Sequence, residues 1–201
     1  MTAAPADESG PEEAEPTVPD WDDEYLDRVS DRLMYNYDLE RDVAAGGRRF
    51  DMYGYLRVET QKQLLHPALN YANHESVEHL YVQRAATVTV ADLEQLVELG
   101  HELADERVEP SEDHYGTEFT FVVVAPEIPD AVREFVDGFR DRTLLKLGYY
   151  GHYEVNLAVV APEREVLVAS EKADVSDAFA LWRDLDAERP GLLARLLGRL
   201  R

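Results

Sequence analysis

FTFVVVA, residues 119–125, is apolar on both faces of an extended chain. A half-solvated strand alternates, because successive side chains point to opposite sides. A strand without alternation lies in a sheet covered on both faces. This segment therefore predicts a central strand, with the rest of the sheet built around it. Before it, Thr89 and Asp92 form a capping-box pattern for a helix with Leu93, Leu96, Val97 and Ala104 inward. After it, Asp130 predicts the cap of a helix with Val132, Phe135, Val136 and Phe139 inward.

Further out, Arg48 to about Thr60 reads as a long strand. Phe50, Met52, Leu56 and Val58 are expected on one face, with Asp51, Tyr53, Tyr55, Arg57 and Glu59 on the other. A second strand is expected near Val77 to Ala86. YGHYEVNLAVVA and EREVLVAS, joined by Pro162-Glu163, predict a hairpin. A first helix is predicted from Trp21 or Asp22, with Leu26, Val29, Leu33 and Tyr37 at helical spacing and Gly46-Gly47 as its end. Val175, Phe179 and Trp182 predict a fourth. The order α-ββ-α-β-α-ββ-α implies an α+β fold: one domain with a mixed or mainly antiparallel sheet of about five strands and flanking helices. The expected boundaries are an acidic disordered tail at 1–19, the domain at 20–188 and an amphipathic C-terminal helix at 189–201.

The 201 residues carry 42 acidic and 20 basic side chains, a formal charge of -22, and only Lys62, Lys146 and Lys172 as lysines. Such a charge repels itself at low ionic strength. In roughly 1 M salt the Debye length falls to about 3 Å and the repulsion is screened. The composition thus predicts a salt-adapted protein of a halophile cytoplasm. With no cysteine, disulfides, thiolate catalysis and thiolate metal sites are excluded. No secretory leader and no apolar run of membrane-spanning length is read. The charge also argues against nucleic acid, whose binding normally needs a basic face and weakens steeply with salt.

Three segments, FDMYGYLRVETQK (50–62), FTFVVV (119–124) and LLKLGYYGHYEVNLAVV (144–160), resemble a family of small α+β domains of haloarchaea and some Gram-positive bacteria. The resemblance spans roughly residues 25–185. It implies one domain and no particular activity. Where that family has His and Trp in the turn before the penultimate strand, this chain has Tyr150 and His152.

Three clusters invite chemistry. In HESVEH, residues 74–79, a helix would set His74 with Glu78 and Glu75 with His79, as metal ligands often are. The alternation of Val77, His79, Tyr81 and Gln83 with Leu80 and Val82 instead predicts a strand, so no metal site is assigned. Asp51, Glu59 and Lys62 evoke a nuclease-type carboxylate set, but residues 51 and 59 lie on one predicted strand, about 26 Å apart at roughly 3.3 Å per residue. The third cluster compares strand faces. Tyr53, Tyr55 and Arg57, then His79, Tyr81 and Gln83, then His152, Glu154 and Asn156 would form one polar, aromatic sheet face if the strands are neighbours. Tyr53, Tyr55, Arg57, Tyr81 and Asn156 are the binding candidates; His152, Glu154 and His79 are the catalytic ones, with His152 and Glu154 as an acid/base pair.

The C-terminal GLLARLLGRLR places Leu192, Leu193, Leu196, Leu197 and Leu200 on one helical side and Arg195 and Arg199 nearly opposite. Such a stripe must dock on its own domain, on a partner protein or on a membrane surface. No phosphate loop, dinucleotide fingerprint or serine elbow is present, so no cofactor is predicted, and whether the chain is an enzyme stays open. The expected function is non-catalytic: protein–protein interaction or self-association in a homo-oligomer. A small enzyme or ligand-binding domain using the polar sheet face is the alternative.

Overall fold

The computed structural model describes residues 19–62, 72–111 and 114–183. Asp23 begins the first helix, its carboxylate accepting the N–H groups of Tyr25 and Leu26, and α1 runs over Glu24–Leu33. Leu26, Val29 and Leu33 are buried on one side, as their spacing requires. The helix stops there, well short of Gly46-Gly47. Residues Asp38–Ala45 form a strand, β1, that the sequence reading missed. Gly46 and Gly47 have φ of 54° and 75° and make a two-residue hairpin turn into β2, Arg48–Lys62. Tyr37 extends the helical spacing by coincidence. β1 is an acidic, mostly exposed edge strand, so it lacks the alternation that marks a strand in sequence.

β3 spans Ala72–Arg84, α2 Val90–Arg107 and β4 His114–Val124. The capping box of α2 is present, with Thr89 and Asp92 bonded reciprocally. α3 covers Asp130–Gly138; its N-cap is Pro129 and makes no side-chain cap bond, so Asp130 is the first helical residue rather than the cap. A second missed strand, β5, is the four-residue Asp141–Leu144. β6, His152–Ala161, and β7, Val166–Ala169, form the expected hairpin. Where a fourth helix was expected, Asp174–Phe179 is a 3-10 segment, and Trp182 lies beyond it. It is pinned to α1 by Arg32, whose guanidinium donates to the carbonyls of Ala178, Ala180 and Arg183.

Among the described residues the fold is α+β with a mixed sheet of seven strands rather than about five, in the order β1-β2-β3-β4-β6-β5 with β7 on β6. β3, β4 and β6 run parallel to one another at the centre, and the other pairs are antiparallel. β5 pairs with the first half of β6 and β7 with the second, so the two short strands share one edge. FTFVVV is central, as its composition requires.

Helices cover both faces. On face A, α2 and α3 pack over Tyr53, Tyr81, Phe119, Phe121, Val155 and Leu157. On face B, α1 and the 3-10 segment pack over Met52, Val82, Val122, Val124, Ala158 and Val160. Phe50, expected beside Met52, lies instead on face A against Tyr81 and Phe121, with ring centroids 5.0 and 6.1 Å away. Among the described residues no helix is long and apolar enough to cross a membrane.

Candidate functional site

The register of the sheet puts one charged row across face B. Leu56 pairs with Glu78, Glu78 with Glu118, Glu118 with Glu154, and Glu154 with Arg142. Neighbouring strands lie about 4.8 Å apart, so three carboxylates stand side by side across roughly 10 Å. They are 5, 7 and 6% exposed, which makes this row the least expected feature of the sheet. Two such charges about 5 Å apart, at an effective dielectric near 20, repel by roughly 3 kcal/mol. The fold therefore has to stabilise them locally.

The donors come from several elements. Tyr37 Oη donates to Glu78 Oε2 at 2.7 Å and Thr120 Oγ1 to Glu78 Oε1 at 2.9 Å. Asn156 Nδ2 donates to Glu118 Oε2 at 3.3 Å. Arg142 Nε and His152 Nε2 approach Glu154 Oε1 at 3.4 and 3.5 Å. Burial pushes the Tyr37 phenol well above its ordinary pKa, and the charges of Glu78, Glu118 and Asp174 push it the same way. Tyr37 is thus a permanent donor in a strongly negative place.

His152 lies where it does because its cross-strand neighbour is Gly116. A Cβ at that position would come within 3.0 Å of the imidazole. Arg142 Nη2 is 3.2 Å from His152 Nδ1, and a guanidinium only donates, so Nδ1 carries the lone pair and Nε2 the proton facing Glu154. The expected His152–Glu154 pair is real as geometry, but Arg142 occupies the nitrogen that a general base would use.

The polar face expected from the sequence divides in two. His152, Glu154 and Asn156 lie on face B. Tyr53, Tyr55, Arg57, His79 and Tyr81 lie on face A, because His79 pairs with Phe119 and Phe119 with Val155, one residue out of step with Glu154. His79 therefore does not join His152 and Glu154. Tyr53, His79 and Tyr81 are buried under α2, so these three are not offered to a second subunit. His79 Nδ1 and Tyr53 Oη are hydrogen-bonded at 2.7 Å, and the imidazole stacks on Phe119 with ring centroids 5.1 Å apart. Burial, and then the Arg107 charge, push His79 down to about 4. Among the described residues the buried Tyr81 hydroxyl finds no hydrogen-bond partner. Tyr55 is half-buried, and Arg57 is exposed and paired with Glu75 at 3.1 Å.

The other clusters resolve into ties. HESVEH belongs to strand β3, so Glu78 and His79 face opposite ways. Asp51 Oδ2 accepts from the Arg84 N–H at 2.6 Å. The side chains of His74, Glu59 and Lys62, the tail 1–18, and Leu192, Leu193, Leu196, Leu197 and Leu200 lie outside the described residues. His101 bridges Tyr153 Oη at 3.0 Å and Asp141 Oδ2 at 3.1 Å, fastening α2 to β5 and β6. Among the described residues no three His, Asp or Glu side chains are placed to hold a metal ion. A groove of about 540 Å³, lined by Tyr25, Arg28, Arg84, Glu163 and Trp182, opens at the carboxyl ends of the parallel strands. Its Arg84 is already held by the Asp23 carboxylate and lies 5.7 Å from the Tyr25 ring centre.

Sequence reasoning missed Glu118, Thr120 and Arg142, read Tyr37 only as helical spacing and weighed Glu78 only as a metal ligand. A signal existed. TEFTFVVV (117–124) and YEVNLAVV (153–160) share Glu, apolar, polar and then an apolar run, whereas VEHLYV (77–82) shares only the glutamate and follows it with His79 and Leu80. Superposing these three strands brings their glutamates into one row. No curated protein and no solved structure matches the chain. A family profile described as a domain of unknown function (DUF8052) matches residues 22–181, so the chain belongs to that family.

Proposed function

We propose that this is a ligand-binding domain, active in a cytoplasm of molar salt, whose site is the carboxylate half of face B. Its ligand carries cationic nitrogen, with amine or guanidinium groups set to meet Glu78, Glu118 and Glu154. The observation that carries the reading is the register of three buried glutamates on three adjacent strands. Like charges directly opposite one another destabilise a sheet, and a cationic guest adds to the donors that Tyr37, Thr120, Asn156 and Arg142 already set on these carboxylates. Binding is favoured over catalysis because His152 is held between Arg142 and Glu154. Calorimetry of the full chain in molar KCl with spermidine, agmatine and arginine tests it. Heat from at least one, weakened about tenfold or more in Glu118→Gln, is expected; no heat from any of them, or heat that ignores Glu118→Gln, overturns it.

A second reading, a protein partner or self-association, is favoured by a different place. In the connection from β5 to β6, Leu147 and Tyr149 are 91 and 85% exposed, and Lys146 and Leu147 hold φ of 47° and 60°. A leucine kept in left-handed backbone and pointed at water fits a contact surface. Loss of a larger species on size-exclusion when Leu147→Asp is introduced supports it; a monomer for both chains counts against self-association.

A further inference from the structure

We propose that the free edge of β7 and the helix α3 beside it form a groove for an extended basic peptide, which adds to the sheet as a further strand. The groove is independent of the carboxylate row on face B. Among the described residues β7, Val166–Ala169, pairs only with β6. Ser170 donates its N–H to the Leu157 carbonyl at 2.8 Å. Main-chain groups alternate in direction along an antiparallel strand, so Val168 and Val166 also face β6. Leu167 and Ala169 therefore turn their N–H and C=O groups outward, where no described strand meets them.

The two edges of the sheet differ. β1 carries Asp38, Glu40, Arg41 and Asp42, and Asp42 holds φ of 52° at a break in its pairing with β2. Charges and local irregularity keep a foreign strand off an edge. β7 is VLVA, with no charge, no proline and no positive φ. Beside it lies a groove of about 620 Å³, walled by β7 on one side and by Asp130, Arg133, Glu134 and Asp137 of α3 on the other. These four are exposed and, three or four residues apart, share one side of the helix. Three carboxylates against one guanidinium leave that wall negative. Among the described residues no hydrogen bond or ion pair engages them. An open strand edge facing a helix across a groove suits strand addition, where main-chain bonds hold the guest and alternate side chains select it.

That alternation sets the guest's chemistry. Val168 lies on face A with α3, whereas Leu167 and Ala169 lie on face B. Guest side chains on face A meet the α3 carboxylates and are basic. Those on face B continue the apolar surface of Leu167 and Ala169. The occupant is thus an extended segment in which lysine or arginine alternates with valine or leucine. In molar salt the main-chain bonds and apolar contacts hold it, and the charges act only at contact distance.

The test is fluorescence anisotropy of the full chain in molar KCl with a labelled peptide, Lys-Val-Arg-Val-Lys-Val. Saturable binding is expected, with the amides of Leu167 and Ala169 gaining protection from hydrogen exchange. The same peptide methylated on its valine nitrogens, whose N–H groups would meet Leu167 and Ala169, should not bind. That control leaves the protein untouched, so no folding defect enters it. Glu134→Lys/Asp137→Lys should weaken the basic peptide several-fold and improve Glu-Val-Glu-Val-Glu-Val. No binding of the basic peptide overturns the proposal, as does binding that survives methylation or ignores the charge reversal. A chain that is already a dimer, and becomes monomeric in Leu167→Pro, gives the edge to a second copy and overturns it too.

Discussion

The Tyr37 hydroxyl donates to Glu78 Oε2 at 2.7 Å, joining the exit of α1 to the centre of the sheet across 41 residues of chain. Tyr37→Phe keeps the ring and removes the donor from a buried carboxylate. An acceptor that loses a charge-assisted bond in the interior costs about 1–3 kcal/mol. Urea unfolding in molar KCl is expected to show that loss with an unchanged slope, and equal midpoints would show that the bond contributes nothing.

His79 supplies a pH dependence whose sign follows from its burial. Its folded pKa is about 4, below the ordinary imidazole value of about 6.5. Between those values the unfolded chain binds the proton and the folded chain does not. Its contribution is complete above pH 6.5 and is lost as pH falls through that window, amounting to a few kcal/mol. His79→Phe should make the stability–pH profile between pH 6.5 and 4 shallower by nearly one proton. A parallel profile would mean that the carboxylates alone set the acid limit.

Gly151 has φ of 76°, and a Cβ there would land on the carbonyl oxygens of Tyr115 and His114. Backbone cannot swing aside as a side-chain tip can. Gly151→Ala is expected to lower stability by about 2 kcal/mol or more, whereas Gly138→Ala, which meets nothing within 4 Å, should change it little. Thermal melts of the two variants side by side check the contrast.

Arg142 fixes the proton on His152. Nitrogen-15 spectra of the imidazole should show the Nε2–H form in the parent chain and a mixture of tautomers in Arg142→Gln. The stability loss should stay below about 1 kcal/mol, because the Arg142 side chain is 53% exposed. An unchanged tautomer would assign the orientation to Glu154 instead.

With a formal charge of -22, the chain should lose stability steadily as KCl is lowered from molar to millimolar. Circular dichroism across a KCl series reads this directly; stability indifferent to salt would remove the argument for a salt-adapted cytoplasm.

Much of this architecture is local and could be read from the chain. The central position of 119–124, the capping box at Thr89, the β6–β7 hairpin and the inward face of α1 each follow from a pattern within about twenty residues. β1 escaped because an edge strand with exposed acidic side chains has no apolar alternation, and β5 because four residues carry too little pattern. The site needed more. His152, Glu154 and Asn156 were legible as one side of one strand, since alternation is a property of the backbone. Whether His79 or Glu78 stands beside them depends on the register between strands far apart in sequence, and a one-residue step exchanges the faces. Sequence by itself determined the charge, the central strand and the polar residues available. Tertiary structure alone decided that Glu78, Glu118 and Glu154 share a row, because strand pairing is set by packing across the whole sheet and not by any segment within it.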